Sequence, residues 1–574
     1  MRKTLLALVA AVAACQGPPD GCAWLQWAGD PAHAGAACTS AQPMLHALAD
    51  IPYDPFVELE QFDADGDILV HYQVPLVVGD DVYMEFKAGD YTPCVPPTPM
   101  TPRMCAPDRW RTQIWTEKRY HWEGGALVRK WTFPSDWKPP PTGGFEPFFQ
   151  PVIVGPRMYV PGGAGSIYEL DRESGALLRH LSIGGDPDTY VSSPLSADPQ
   201  GNVYYTTLAL SHDDPWGTDA RGALVRLSAL GVLSMVRIPD LTPGAPHADD
   251  LCMGTFNRRD NPLPWPPPPH PDGTPVLPES APCGSQRPAI NAAPAVGPSG
   301  TLFLVSRAHF NDRYSYLVAL DPDLRVKWVK SLRDLLADGC GVLVPDDGDD
   351  MDLKFDCRPG AALGVDPATN QMPAARAVEE SSSSPVALPD GGVLYGAYTG
   401  YNGARGHLLK LDAGGRFVAS YDFGWDTTPA IWRHDGSYSI VLKDNHYFGE
   451  NGAPEGPYLI VQLDRNLRPE WRFTSTNTVS CQRPPDSPPG APPVCMDDHP
   501  NGFEWCINAP VVDRQGTVYV NSEDGNVYAI GQGGIEKQRL FLDMAVGAAY
   551  TPLAIDGRGL IYTLNDGRLS VLGR

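Results

Sequence analysis
The chain has 574 residues, more than one ordinary core of about 100–200 residues requires, so it is either several domains or one large repeat architecture. Its 42% hydrophobic, 9% aromatic and 20% charged residues are those of a folded protein, and Gly and Pro, 58 and 61 residues, stay below the roughly 25–30% share of low-complexity disorder. Proline at twice its usual share predicts few long helices. The net charge of −24 argues against nucleic acid as a partner, because phosphate binding needs a basic footprint.

The chain opens Met1-Arg2-Lys3, followed by an apolar run over 4–14 and then Cys15. Two basic residues and a short apolar stretch predict a signal peptide over 1–14 and are too little to span a bilayer. Val12-Ala13-Ala14-Cys15 resembles a bacterial lipobox, which implies that Cys15 is lipidated and becomes the N-terminus. The alternative is an ordinary signal peptide cut near Ala14. Gln16 and Gly17 follow, with no Asp in second place; by resemblance to lipoprotein sorting rules this implies the outer membrane, periplasmic or surface-exposed. The membrane is then touched only through the lipid, and residues 15–54 form an anchored segment ahead of the folded body at 55–574.

From there a proline recurs before a short β-type run, at Pro75, Pro151, Pro194, Pro294, Pro385, Pro429, Pro510 and Pro552. Each is followed eight to ten residues later by an aromatic: Tyr83, Tyr159, Tyr204, Phe303, Tyr395, Tyr438, Tyr519 and Tyr562. Runs bounded by Gly, Asp and Asn are strand-turn-strand signals, and "APVVDRQGTVYVNSEDGNVYAI" at 509–530 is the cleanest copy. Most copies add a third strand, such as "LVALD" at 317–321, and several a fourth, such as "RPEWRF" at 468–473. Four short strands repeating near 40–45 residues are the signature of a propeller blade. The predicted fold is all-β: an eight-bladed β-propeller of four-stranded antiparallel blades, three at the bare repeat length and four with inserted loops.

The cysteines follow the insertions. Cys94 and Cys105, Cys252 and Cys283, and Cys340 and Cys357 each share one long unit, and no short unit holds a cysteine. Loops without a core of their own gain most from a covalent staple, so these are read as three intra-insertion disulfides, with Cys22 and Cys38 stapling the N-terminal segment. Cys481 and Cys495 are a candidate pair in the last insertion, although the pairing among them and Cys506 stays open.

The chain stops after the third strand of the last unit, which would leave an edge. The N-terminal segment offers the missing strand, "VELEQF" at 57–62 or, preferred because it leads into Pro75, "DILVHYQ" at 67–73. The alternative is an edge hairpin over 55–73.

The pattern of Pro, Gly-hydrophobic-Tyr, Leu-Asp, Gly and Trp resembles the pyrroloquinoline-quinone-like repeat of eight-bladed propellers over about 67–574. "WLQWAGDPAHAGA" at 24–36 is similar to the segment that precedes the first blade there. The family includes quinoprotein dehydrogenases and a propeller lipoprotein of the outer-membrane β-barrel assembly machinery. The resemblance implies that Trp131, Trp328 and Trp471 in fourth strands dock against neighbouring blades. The dehydrogenases use a vicinal disulfide over the quinone and a Glu, Asn and Asp set on calcium. No Cys-Cys pair and no matching motif is present here, which argues against pyrroloquinoline quinone as a cofactor. There is also no GxSxG, HExxH or P-loop. The acidic run at 63–67 partly resembles a calcium loop but lacks the downstream Glu and reads as a polar turn before a strand; the run at 346–352 reads as a solvated acidic loop, with weak calcium binding as the alternative.

Residues just before each innermost strand face the central channel. Among them Glu380, Asp426 and Glu504 come from three consecutive blades, with Glu146, Tyr190, Glu379 and Asn508 at equivalent places and Trp425 and Trp505 beside them. Oxygen-only ligands from separate strands suit Ca²⁺; the alternative is a water-filled acidic funnel. The function expected is that of a non-catalytic, monomeric envelope lipoprotein whose inserted loops bind a protein or glycan, with the Pro-rich runs at 261–282 and 484–493 as candidate contacts. The competing expectation is a quinone-dependent dehydrogenase or a polysaccharide-acting enzyme with its site at the channel mouth.

Overall fold
Pro75, Pro151, Pro294, Pro385, Pro429 and Pro510 stand directly before an innermost strand, Pro194 stands one residue further from Ser196–Ala197, and Pro552 lies outside the described residues; the fixed φ of proline suits a strand entry where no ladder N–H is needed. In the computed structural model, which describes residues 22–574 apart from 58, 61–72, 96–111, 140–148, 212–219, 257–265, 334, 337–338, 340–359, 367–368, 379–382, 400–404, 425–426, 447–455, 483–493, 506–508 and 544–552, the strands assemble into eight antiparallel sheets arranged as propeller blades. Blade 1 comprises Leu76–Val78, Asp81–Gly89, Gln113–Glu123 and Ala126–Pro134. Blade 2 begins at Val152–Val154, blade 5 at Val386–Ala387, blade 6 at Ala430–His434, blade 7 at Val511–Val512 and blade 8 at Leu553–Ile555. In blades 3 and 4 the inner position is split, Thr189–Val191 with Ser196–Ala197 and Gln286–Pro288 with Ala295–Val296. The eight repeat aromatics all lie buried in the second strands, where they fill the space between adjacent twisted sheets.

The fourth-strand tryptophans dock as the repeat pattern implied. Trp131 Nε1 donates to the Arg172 carbonyl at 3.0 Å, and its ring lies where a Cβ on Gly175 would sit, 2.6 Å away. Trp328 Nε1 donates to the Ala413 carbonyl at 3.0 Å and covers Gly415 in the same way. Each indole therefore rests on the third-to-fourth-strand turn of the next blade, and glycine is what admits it.

The fourth strand of blade 8 lies elsewhere than expected. It is His46–Pro52, antiparallel to Arg568–Gly573 with Ile51 opposite Leu569 and Ala47 opposite Leu572. Of the two candidate strands, Val57, Leu59 and Glu60 of the first lie in a helical turn, and 67–72 of the second lie outside the described residues. The boundary at 54/55 moves accordingly: residues 24–52 belong inside the propeller. The sequence "HALADIP" lacks the Pro-to-aromatic spacing that marked the other strands, because an outermost strand packs only one face.

Candidate functional site
The ring has two unlike ends. Connections from first to second strands, such as 79–80, 198–202 and 513–517, and from third to fourth, such as 124–125, 228–232 and 321–325, are short turns at one end. Connections from second to third strands and from blade to blade leave at the other end, and these include all the long ones: 90–112, 238–285, 332–385 and 475–510.

At the short-turn end the axis is filled by the N-terminal segment, which meets the blades in order. Trp24 exchanges two backbone hydrogen bonds with Val77 of blade 1, at 2.8 and 2.9 Å, and the Leu25 carbonyl accepts from Ile153 N of blade 2 at 2.9 Å. Gln26 Oε1 accepts from Ala197 N of blade 3 at 2.6 Å. The carbonyls of Pro31, Ala32, Ala34 and Gly35 then accept from Val296, Ala387, Ile431 and Val512 of blades 4 to 7, at 2.6–2.9 Å, and Gln42 N donates to the Gly559 carbonyl of blade 8 at 2.7 Å. This collar satisfies inner-strand N–H groups that face the axis and have no further strand to pair with. At Gly35 no side chain fits: a Cβ there, at φ +59°, would sit 2.6 Å from the Pro510 carbonyl oxygen. His33 is fully buried on the axis. Its Nδ1 lies 2.9 Å from the Pro385 carbonyl, to which it donates, and its Nε2 is 3.4 Å from Ser196 Oγ. Burial pushes the imidazole down to about 4, against the Pro385 hydrogen bond that pulls it up. A Cys22–Cys38 disulfide clasps the two ends of the collar.

Above the collar the channel wall is a belt of hydrogen bonds between blades. Val74 N donates to Gln150 Oε1 at 2.7 Å, Ala293 N to Ser384 Oγ at 2.9 Å and Ser384 N to Thr428 Oγ1 at 2.9 Å. Gln150, Ser384 and Thr428 are fully buried. Glu380 and Asp426 lie outside the described residues, as do Glu146, Glu379, Trp425 and Asn508. Glu504 Oε1 accepts from Asn445 Nδ2 at 3.4 Å. Among the described residues no cluster of His, Cys, Asp and Glu could hold a metal ion. Trp505 is core, edge-on to Tyr528 at 5.1 Å, and Tyr190 packs with Leu208 and Ile290.

The insertion end is pinned by disulfides. Cys252–Cys283 closes the connection between blades 3 and 4, whose base is a hairpin of Leu251–Met253 with Ser280–Pro282. Cys481–Cys495 joins opposed residues of a second hairpin, Val479–Gln482 with Val494–Asp497. Cys94 is disulfide-bonded; Cys105, Cys340, Cys357, Cys506 and Cys15 lie outside the described residues, as does the run 484–493. The described part of the Pro-rich run is held to the next insertion, since Asn370 Nδ2 donates to the carbonyls of Pro267 and Val276 at 3.2 and 3.0 Å. Both hairpins turn apolar side chains to solvent: Leu251 is 72% exposed, Val494 57% and Met496 58%.

Two buried charge clusters lie toward this end, and neither was anticipated. In blade 1, Lys87 Nζ meets Asp54 at 2.7 Å and Glu60 at 3.2 Å, while Glu85 stands opposite Glu117 across the ladder. Desolvation, opposed by Lys87, pushes Glu60 up to about 7 and Glu85 up to about 8, and it drives Glu117 well above the usual carboxylate range. In the connections of blade 4 and between blades 4 and 5, Arg313 pairs with Asp366 at 3.4 Å and Arg376 with Asp312 at 3.3 Å. Burial pulls the Asp312 carboxyl up, but Arg376, Arg307 and Arg313 together outweigh it and hold it low. The available signal was charge at inward positions of "DVYMEFKAG" and "QIWTEKRYHWE", where period two makes Glu85, Lys87 and Glu117 face the interior.

No protein-family model matches the chain, and no curated protein does. Similar solved structures include a quinohemoprotein alcohol dehydrogenase from Comamonas testosteroni, with 10% identity over 97% of this chain and 81% of that one and a TM-score of 0.49. A europium-containing methanol dehydrogenase has 10% identity over 94% and 89%, TM-score 0.48. BamB from Moraxella catarrhalis has 11% identity over 92% and 99%, TM-score 0.40. The likeness is one of fold. The eight blades themselves rest on the strand pairing described above.

Proposed function
We propose that this chain is a non-catalytic, monomeric lipoprotein of the bacterial outer membrane, anchored through Cys15, whose insertion face docks a protein or glycan of the envelope. The observation that carries the reading is the pair of disulfide-pinned hairpins, which hold Leu251, Val494 and Met496 in solvent on the one face where every long connection leaves. Apolar side chains kept exposed by covalent pinning suit a surface completed by a partner. Pinning also lowers the ordering cost of binding. Among the described residues no helix is long and apolar enough to cross a membrane.

The test is in-cell cross-linking with mass spectrometry on the native chain and on a Leu251→Asp, Val494→Asp, Met496→Asp variant. A partner cross-linked through residues of the insertion face should be lost at least tenfold in the variant, with an unchanged melt. Unchanged cross-linking, or cross-links confined to the short-turn face, sinks the docking surface. A quinone absorbance in the purified chain would sink the non-catalytic reading.

A further inference from the structure
The collar decides where the chain leaves the ring. Trp24 is bonded to the innermost strand of blade 1, and Cys22 is bonded to Cys38. Cys38 is exposed and adjoins Thr39, whose carbonyl accepts from Arg514 N in a short turn of blade 7. Cys22 therefore sits near the axis at the short-turn end, and seven Cα–Cα steps link it to Cys15. Fully extended, they reach about 25 Å. A blade of four strands spaced by about 4.8 Å puts the rim roughly 25 Å from the axis. The nine-residue strand Asp81–Gly89 sets a ring thickness of about 30 Å at 3.3 Å per residue. A tether to the opposite face must cover both distances, about twice its reach.

We propose that the short-turn face lies against the lipid bilayer, and that the short tether holds the insertion face away from it, toward the aqueous compartment. This rests on lipidation at Cys15. The surface recognised is the bilayer itself. Approach is enforced by chain length, and the side chains nearest the lipid are the exposed Leu45, Leu230, Val232 and Ile535, 60%, 91%, 63% and 65% accessible. All four are at short-turn positions: Leu45 donates its N–H to Gly573 at the end of the last strand, Leu230 and Val232 lie between Arg221–Leu227 and Leu233–Arg237, and Ile535 opens the strand Ile535–Phe541. The arrangement leaves the two pinned hairpins free for a partner in solution.

The experiment is hydroxyl-radical footprinting of the full lipidated chain on phosphatidylethanolamine–phosphatidylglycerol vesicles, against the soluble Cys15→Ser variant. Oxidation of Leu45, Leu230, Val232 and Ile535 should fall at least threefold on vesicles, while Leu251, Leu277 and Met496 stay within 1.5-fold. A 20-residue Gly-Ser spacer inserted after Gln16 should keep vesicle binding and abolish the protection. Protection of Leu251 and Met496 overturns the orientation, as does equal labelling of both faces. Protection that survives the spacer overturns the tether as its cause. Intact mass without a diacylglyceryl group overturns the lipoprotein reading, and the orientation with it, so the two failures are told apart.

Discussion
The short-turn face and the insertion face of this ring are held by different means. At the first, one segment touches all eight blades, so its hydrogen bonds couple parts of the chain that lie up to about 500 residues apart. At the second, the two described disulfides each close a loop within one insertion, and contacts such as Asn370 with Pro267 join only neighbouring insertions. The lesson is that a propeller can concentrate its global cohesion at one end and leave the other free to vary. Damage should therefore spread at the first face and stay local at the second.

The sharpest way to break that contrast is deletion. Removing residues 22–52 takes away the collar and the strand His46–Pro52, baring Arg568–Gly573 as an edge. Unpaired edges template association, and the axis-facing N–H groups of seven inner strands lose their acceptors. The expected result is loss of a cooperative melt, with light scattering showing aggregates. Replacing 266–277 with a Gly-Ser linker should leave the melting temperature within about 2 °C. A 22–52 deletion that stays monomeric with an unchanged melt would show that the blades close without the collar.

Disulfides sharpen the contrast next. Cys22 and Cys38 are 16 residues apart, and closing a loop of that size is worth about 3 kcal/mol in the chain-entropy account. Because the collar orders only when the ring does, replacing both by Ser should lower global stability by about that amount in denaturant titration. Cys252 and Cys283 are 31 apart, yet their insertion can open while the ring stays folded. Their replacement should raise hydrogen exchange in 238–285 and barely move the global midpoint. Equal global losses would remove the distinction.

The repeat was legible because its marks are backbone requirements: proline at a strand entry, glycine under an indole, a buried aromatic opposite the third strand. Trp131 and Gly175 show both halves of such a mark. The collar was legible only as a segment similar to the one that precedes the first blade in the family; its small residues, Ala28, Gly29, Ala32, Ala34, Gly35, Ala36 and Ala37, were not read as a mark of close approach. Smallness says that something comes close without saying what, and eight partners scattered from Val77 to Gly559 leave no local period. The strand His46–Pro52 was missed for a related reason, since its pairing partner is the far end of the chain. Of the insertions, the staples Cys252–Cys283 and Cys481–Cys495 were readable from cysteine placement, while Cys105, Cys340 and Cys357 lie outside the described residues. The three-carboxylate site was inferred by analogy of position alone; Glu504 turns to Asn445, while Glu380 and Asp426 lie outside the described residues.

Acid should strike the short-turn face. His33 is held near 4 in the folded ring against about 6.5 in an unfolded chain. Its folded value is the lower one, so the buried neutral ring contributes fully above pH 6.5 and its contribution falls as pH drops toward 4. The loss is about 3 kcal/mol over that window. A His33→Gln variant cannot titrate. Its stability should be flatter between pH 6.5 and 4 in urea titrations, whatever its level at neutral pH. An acid limb as steep as that of the native chain would place the titrating group elsewhere.

Base should act on the opposite end. Glu85 and Glu117 face each other in blade 1 with folded values raised above the unfolded range by desolvation, Glu85 to about 8. The sign is the reverse of that for His33. A carboxyl whose folded value is raised contributes fully below its unfolded value near 4.5, and the contribution is lost as pH rises toward 8. Lys87, already shared between Asp54 and Glu60, offsets only part of the cost of ionising the pair. Glu117→Gln keeps the shape and the hydrogen-bonding capacity toward Gln73 while removing the proton that must leave. The variant should match the native chain at pH 5 and exceed it at pH 8, by on the order of 1 kcal/mol for each unit of pKa displacement relieved. A variant weaker than the native chain at both pH values would mean that Glu117 is ionised and held by a partner, and the blade 1 cluster would then be a source of cohesion like the collar.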